Sequence, residues 1–514
     1  MCLLIYKSVH KITIAFIAFL GLSIILLLSR LYGIGLLSDS VYYVSVARHI
    51  ADGTGFVGYD GYNYILQPPL YPFLLAIIKI ISGIDPLISA GYFNALLFGL
   101  VIYLSGMCLL KLVKSFPLVI IGTVSILISF VFIQIFLLAL SETLFILLVL
   151  LYLNALYKYK EKGSVSHLIY LSISVALACL TRYVGIILIL TGFLSILLWG
   201  SGNSKKKFQH LFIYLSISII PSGIWILRNF LTSGSFVGQR AASSYNFREN
   251  LLFFFNSVLR WYMPIQIHLQ QLILFVLILS ILILITLVLI YRLEKMNLII
   301  NRIGPIVLFA ILYSAFIIIS STTTAYDKIA NRLLSPVFVP VTLLLLVFID
   351  YIFLWLKKFP YQKLISFLFL IAIIYWLKYP LMESVYHIKE YSKHSGLVFG
   401  REIWKDNSII NYLNNNNKLV SGYSFFSNVP EVVYLYAGRE TKWSPAKTFY
   451  NSPQLLDSTH SSKNIWYGNS KICLVWFNNI NRNFLYSLDD LKKSAGMQKV
   501  FQSKEGDIFI LDIK

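Results

Sequence analysis

Asp39 stands just past the first apolar stretch of the chain, within Ser38-Asp39-Ser40-Val41-Tyr42-Tyr43, and Gln67-Pro68-Pro69-Leu70-Tyr71-Pro72 follows it. A carboxylate fixed where an apolar segment meets water is placed to take the proton of an attacking hydroxyl. Glu142, in Leu140-Ser141-Glu142-Thr143, is a second acid at the start of an apolar run. Arg182, Arg228 and Arg332 each adjoin such a run as well. Arginine presents a planar fork that grips phosphate or carboxylate with two N–H groups, which lysine cannot do. One base and several forks are what displacement of a phosphate leaving group requires. Each residue also has a structural reading: Asp39 as the N-cap of a helix over 40–52, Glu142 as a first-turn acid behind a Ser141 cap, and the arginines as snorkelling cations.

The elements that must position these residues are mostly membrane helices. The 514 residues are 58% hydrophobic and 13% charged, against about 25% charged in an ordinary soluble domain. Apolar runs predict eleven spans, at 12–36, 88–111, 117–140, 142–157, 167–181, 183–200, 209–228, 269–291, 303–320, 334–356 and 362–379. A β-barrel would instead alternate polar and apolar residues over about ten positions. Pro69–Ser82 is apolar but too short to span, and suits an interfacial or re-entrant helix. No internal repeat of the secondary-transporter kind is visible.

The net charge of +21 is concentrated in residues 1–379, with 27 Lys and Arg against 10 Asp and Glu. These cations fall on alternate loops, so they mark a cytoplasmic face by the positive-inside rule rather than a nucleic-acid surface. The N-terminus is then cytoplasmic. Residues 37–87, the tips at Glu142 and Arg182, the loops 229–268 and 321–333, and the tail from Pro380 lie outside. Cations of the basic face are 14 Lys and 2 Arg; those of the outer face of the membrane part are 7 Arg and 3 Lys. A chain that otherwise prefers lysine uses arginine where an anionic group would be handled.

From residue 380 the sequence turns polar and rich in Asn and Ser. A helix is predicted over 403–414, strands over 418–422, 471–477 and 507–513, and short helices over 430–437 and 488–495. The division is therefore a membrane domain at 1–379, with its first outer loop at 37–87, and a small α/β domain at 380–514. Cys2, Cys108, Cys179 and Cys473 give no disulfide framework. The histidines have no metal-ligand spacing, and no phosphate-binding glycine loop is present. Asp350, inside a predicted span, reads as a packing or snorkelling residue.

Several segments resemble one known family in order. Asp39 with Tyr42-Tyr43, then ARHIADGTGF at 47–56 and QPPLYPFLLA at 67–76, is similar to the first outer loop of polyprenyl-phosphate-sugar glycosyltransferases of the GT-C superfamily. That branch includes protein O-mannosyltransferases and lipid A aminoarabinose transferases. LSETLFILL at 140–148, LTRYVG at 180–185, WILRNFLTSG at 225–234, NRLLSPVFVP at 331–340 and YSFFSNVPEVVYLYAGRET at 423–441 resemble later family segments. The resemblance covers nearly the whole chain. It implies a GT-C fold of about eleven membrane helices plus interfacial helices, with a small extracytoplasmic α/β domain.

It also implies roles. Asp39 maps onto the proposed general base, Glu142 onto an acid that orients acceptor or metal, and Arg182, Arg228 and Arg332 onto donor-phosphate contacts. Tyr42, Tyr43, Gln67, Pro69 and Tyr71 would line the substrate path. The family often carries a second acid beside the first, where this chain has Ser40. The implied reaction is inverting transfer of a sugar from a polyprenyl-phosphate donor to a glycan, lipid or protein hydroxyl, on the outer side of the plasma (inner) membrane. No cofactor is required, and a divalent cation near Glu142 is left open. A transporter or flippase of lipid-linked saccharides is the alternative; it would be expected to bury charge near the bilayer midplane.

Overall fold

The computed structural model describes residues 2–200, 202–278, 280, 296–356, 361–394, 396–416, 422–456, 466, 471–494 and 496–512. In chain order its helices begin with α1 (Cys2–Tyr32), α2 (Ser38–Ala51), α3 (Leu70–Ser82), α4 (Pro86–Leu112), α5 (Phe116–Leu127), α6 (Phe130–Phe136) and α7 (Ser141–Lys162). They continue with α8 (Val165–Thr181), α9 (Ile186–Trp199), α10 (Ser204–Ser233), α11 (Phe247–Arg260), α12 (Met296–Thr323) and α13 (Asn331–Leu356). The last are α14 (Gln362–Trp376), α15 (Lys378–Lys393), α16 (Ser408–Asn415), α17 (Pro430–Ala437) and α18 (Leu488–Ser494).

Among the described residues seven helices are long and apolar enough to cross a bilayer, the α14–α15 stretch counting as one, and the bent pair α5–α6 makes eight. The predicted span 117–140 is that pair. It turns by 44°, because Ser129 ends one helix and its Oγ accepts from Phe132 N to start the next. Three further predicted spans fall on the shorter apolar helices Val165–Thr181, Tyr183–Trp199 and Leu269–Ile278. Residues 281–295, which complete the predicted span 269–291, lie outside the described residues. The α14–α15 stretch runs to Lys393, past the expected boundary at 379.

Close packing of α1 on α4 rests on glycine. A Cβ on Gly99 would sit 3.0 Å from Leu22 Cβ and 3.3 Å from the Ala18 carbonyl oxygen, so a side chain there would press the two backbones apart by a few tenths of an ångström. Asp350 is buried on α13 and is a helix anchor: its carboxylate accepts from the backbone N–H groups of Lys114 at 2.9 Å and Ser115 at 3.2 Å, leading into α5. Negative charge at that helix start satisfies donors that lipid could not.

The tail forms a five-stranded sheet in the order β2-β1-β3-β5-β4. Its strands are β1 (Ser424–Ser427), β2 (Thr441–Trp443), β3 (Lys471–Phe477), β4 (Gln498–Gln502) and β5 (Gly506–Asp512). β1 pairs in parallel with β2 and β3, while β5 runs antiparallel to β3 and β4. The predicted strand 418–422 lies mostly on residues outside the described ones; β1, β2 and β4 were not foreseen. α17 and α18 occupy predicted helical positions, whereas only the second half of the predicted helix 403–414 is helical, as α16.

One junction matters for function. The extended pair Gly35-Leu36 lies between two other segments. Gly35 N donates to Leu137 O at 2.8 Å, and Ala139 N donates to Gly35 O at 3.1 Å. On the other side Leu36 N donates to Leu397 O at 3.2 Å, and Phe399 N donates to Leu36 O at 3.0 Å. These pairings bring the starts of α2 and α7 and the approach to the tail domain to one place.

Candidate functional site

Asp39 sits in the first turn of α2, not at its cap. The N-cap is Leu37, whose backbone N–H is taken by Ser40 Oγ at 3.1 Å. Ser40 Oγ thus closes the helix start, and the Asp39 carboxylate makes its hydrogen bonds elsewhere. Gln67 Nε2 donates to its Oδ1 at 3.2 Å, and Arg332 Nη2 donates to its Oδ2. The side chain remains 32% exposed.

Glu142 lies behind it, in the first turn of α7. It is fully buried, and both oxygens are engaged: Arg182 Nη1 at 2.7 Å from Oε2 and Arg332 Nε at 2.6 Å from Oε1. The start of α7 is fixed by Asn94 on α4. Its Nδ2 donates to the carbonyls of Phe136 and Leu138, and its Oδ1 accepts from Thr143 Oγ1 at 3.0 Å. Ser141 Oγ lies 3.0 Å from Tyr43 OH and accepts from Arg182 Nη1 at 3.2 Å. The result is a chain of alternating charge, Asp39–Arg332–Glu142–Arg182. Its two acids and two arginines are formally neutral. Arg332 also reaches Asp327 Oδ2 at 3.5 Å.

Asp39, Arg332, Asp327 and Gln67 form one wall of an open cavity of about 1370 Å³. The facing wall is built by the tail domain, with Trp404, Trp443, Tyr450, Arg482 and Phe484. Asn451 Nδ2 donates to Asp327 Oδ1 at 3.1 Å, which ties the two walls together. Tyr42 and Gln67 line this cavity. Tyr43 and Tyr71 are buried behind it, ring to ring at 5.2 Å, and Pro69 caps α3. The phenol of Tyr42, pushed far up by burial and by Asp60, stays protonated and donates to Asp60 Oδ1 at 3.1 Å.

Arg228 does not join the acids. Its Nη1 donates to Tyr64 O at 2.8 Å, and its guanidinium lies 4.9 Å from the centre of the Trp225 ring. Around the same loop, Tyr183 OH donates to Ile65 O at 2.9 Å and Arg240 Nη2 to Leu66 O at 3.0 Å. These donors hold the backbone that presents Gln67 to Asp39. Arg228 is therefore placed as a support of the first outer loop.

Two residues were not singled out from sequence. Glu431, in α17, is buried; its Oε1 accepts from Ser38 Oγ at 2.6 Å, and Arg482 Nη2 is 3.2 Å away. Burial raises its carboxyl above the usual range, and Arg482 and Ser38 pull it back only in part. It clamps the tail domain onto the residue next to Asp39. The only sequence signal was an acid inside the resembling segment 423–441. Asp327 gave none. Among the described residues no three His, Cys, Asp or Glu side chains converge as a metal group, and Glu142 is instead held by two arginines.

Residues 66–225 match the family described as dolichyl-phosphate-mannose-protein mannosyltransferase. The chain is similar in structure to ArnT from Cupriavidus metallidurans in the apo state, with TM-score 0.58 and 12% identity over 96% of this chain and 97% of that one. The same protein bound to undecaprenyl phosphate gives 0.57 and 12%, over 98% of each. The archaeal oligosaccharyltransferase AglB from Archaeoglobus fulgidus, in complex with an inhibitory peptide and a dolichol-phosphate, gives 0.50 and 12%, over 98% of this chain and 74% of that one. No curated protein matches by sequence. The family match begins within the first outer loop, after Asp39, and runs into α10, while the likeness to the solved structures spans nearly the whole chain and shows a shared fold.

Proposed function

We propose that the protein transfers a sugar from a polyprenyl-phosphate donor to an acceptor hydroxyl in the cavity between the membrane and tail domains, with Asp39 as general base. The observation that carries this reading is the unequal treatment of the two acids. Glu142 is buried and committed to two arginines, whereas Asp39 keeps a face on the cavity. Structural neighbours of this fold hold undecaprenyl phosphate or dolichol-phosphate, which supports the donor class.

In the proposed step the acceptor oxygen gives its proton to Asp39 and forms a bond to the anomeric carbon. The bond from that carbon to the phosphate oxygen breaks, and its electron pair leaves with the lipid phosphate. A single in-line displacement inverts the anomeric centre. Arg332, which lines the cavity, and Arg182 behind it meet the charge that develops on the leaving group. Because the four-residue chain is already neutral, the incoming phosphate competes with Asp39 for Arg332. Donor binding then releases the base at the moment it is needed. Arg228 acts at one remove, through the loop that carries Gln67.

The alternation of basic loops supports an extracytoplasmic position for this cavity, and the membrane is read as the plasma (inner) membrane. The test is reconstitution with a polyprenyl-phosphate sugar and an acceptor extract, comparing wild type with Asp39→Asn. General-base removal is expected to slow transfer by roughly 10²–10⁴-fold. Undiminished transfer by the variant overturns the assignment. Formation of a glycosylated product, rather than movement of an intact donor, separates this reading from a flippase.

A further inference from the structure

The cavity wall that faces Asp39 carries a row of rings, Trp443, Phe484 and Tyr450. Trp443 lies 5.6 Å from Phe484, centre to centre, and Phe484 lies 5.5 Å from Tyr450, each pair meeting edge to face. Tyr450 is 58% exposed, so its ring is open to a ligand. The row ends at the reaction centre. Asn451, next in sequence to Tyr450, donates to Asp327 at 3.1 Å, and Asp327 reaches Arg332, which holds Asp39. At the other end the Arg482 guanidinium lies 4.3 Å from the centre of the Trp443 ring and supports it from one side.

Amides stand beside the rings. The loop after β3 brings Asn479, Asn481 and Asn483 to the same cavity, and among the described residues none of their side chains makes a hydrogen bond. The loop itself is held from below. Buried Asn428 donates from Nδ2 to the Phe477 carbonyl at 2.9 Å and to the Ile480 carbonyl at 3.0 Å, and Asn478 N donates to the Glu505 carbonyl at 2.9 Å. The amides are therefore presented on anchored backbone. Arg401, on the same wall, has a buried Nε with no hydrogen-bond partner among the described residues.

This mixture of surfaces fits a saccharide. A sugar ring has an apolar face of C–H bonds, which lies against an aromatic ring, and a rim of hydroxyls that both donate and accept. An asparagine amide also does both, with two N–H groups and a carbonyl. An acyl chain would strip water from these amides without replacing its hydrogen bonds. An extended peptide would call for a free sheet edge, but β2, the edge strand on this wall, already gives Thr441 N to Tyr59 O at 2.9 Å.

Resting on the reading of Asp39 as general base, we propose that the acceptor is a saccharide chain, laid along Trp443, Phe484 and Tyr450 with a hydroxyl of its end sugar at Asp39. That hydroxyl loses its proton to Asp39 and gains the bond to the anomeric carbon, as in the step above. The experiment supplies the reconstituted full chain with a radiolabelled polyprenyl-phosphate sugar and three probes from the envelope of the cells that make it: saccharides freed of lipid and protein, protease-released peptides, and deglycosylated lipids. Label is expected in the saccharides, as a product of two or more sugars. Tyr450→Ala should raise the acceptor KM about 10-fold, the order of one lost ring contact, while affinity for sugar-free polyprenyl phosphate stays as in wild type. Tyr450→Phe keeps the ring and should keep the acceptor KM, and Asn481→Ala should raise it. Label in peptides or lipids instead of saccharides, or an acceptor KM that Tyr450→Ala leaves unmoved, overturns the acceptor class and leaves the transfer reaction standing. Label in no fraction sinks the transfer reading itself, and the acceptor class with it.

Discussion

Asp39→Asn is expected to slow transfer by roughly 10²–10⁴-fold and yet bind the lipid phosphate more tightly than wild type. The ligand-free structure pairs Asp39 with Arg332, whose guanidinium is also shared with Glu142 and Asp327. An anionic donor must take some of those N–H groups, and Asp39 is the most exposed holder of the two acids in the chain of charges. Unit charges about 4 Å apart attract by about 4 kcal/mol at an effective dielectric of about 20. The Asp39 side chain is 32% exposed and that of Arg332 23%, so solvent screening reduces this to about 1–2 kcal/mol. Asparagine removes the competing charge while keeping the shape, and affinity should rise about 5- to 30-fold. The assay is equilibrium binding of a short polyprenyl phosphate, without sugar, to wild type, Asp39→Asn, Arg332→Gln and the double variant in detergent. In the double-mutant cycle the gain from Asp39→Asn should vanish when Arg332 is already gone. Equal or weaker binding by Asp39→Asn, with wild type binding normally, refutes the exchange of Arg332 while leaving the donor class intact. No binding by wild type refutes the donor class itself.

Three further outcomes follow from the geometry. Glu142→Gln leaves Arg182 and Arg332 without their buried counter-charge and should cost about 3–5 kcal/mol, read as a lower thermal transition and a lower folded yield in detergent. Arg228→Gln should lower the transfer rate while lipid-phosphate affinity holds within about twofold, if a lost carbonyl contact is worth about 1 kcal/mol and acts on Gln67 alone; an affinity loss as large as that of Arg332→Gln would return Arg228 to the donor site. Asp85 caps α4 and takes both Arg48 Nε and Nη2 at 2.9 Å. Partial burial raises its carboxyl, but the Arg48 hydrogen bonds and charge outweigh this and leave it below its ordinary value. Its contribution is thus present above the unfolded carboxyl value, about 4, and lost as pH falls through the lowered one. Asp85→Asn should reduce the thermal transition at pH 7, and the difference from wild type should shrink below about pH 4.

Much of the fold was legible because a bilayer writes strongly into sequence. Apolar length marks α1, α4, α7, α10 and α13 without ambiguity, and the end of α3 is a glycine in left-handed geometry, Gly83. The break inside 117–140 was missed because Ile128-Ser129 carries no Gly or Pro; only a serine hydroxyl turning back on Phe132 makes it. The short strands β1, β2 and β4 were missed because three to five residues hold too little periodicity to register. The resemblance brought Asp39, Glu142, Arg182 and Arg332 into view together, and the structure joins them in one run of ion pairs. It placed Arg228 with them too, because a sequence shows that an arginine ends a helix but not which carbonyl it meets.

The sequence by itself determined the solvent of this protein, the side on which arginine replaces lysine, and the stretch in which a base could stand, since each of these depends on composition and local order. Only the tertiary structure decided which acid is free. Asp39 and Glu142 each open a helix, and by local rules they are equivalent first-turn carboxylates. They differ because Glu142 is closed in by α4, α8 and α13 with two arginines, while Ser40 caps α2 and the Asp39 carboxylate faces a cavity whose far wall belongs to the tail domain. That difference is one of burial and counter-charge across hundreds of residues of sequence, which no local pattern encodes.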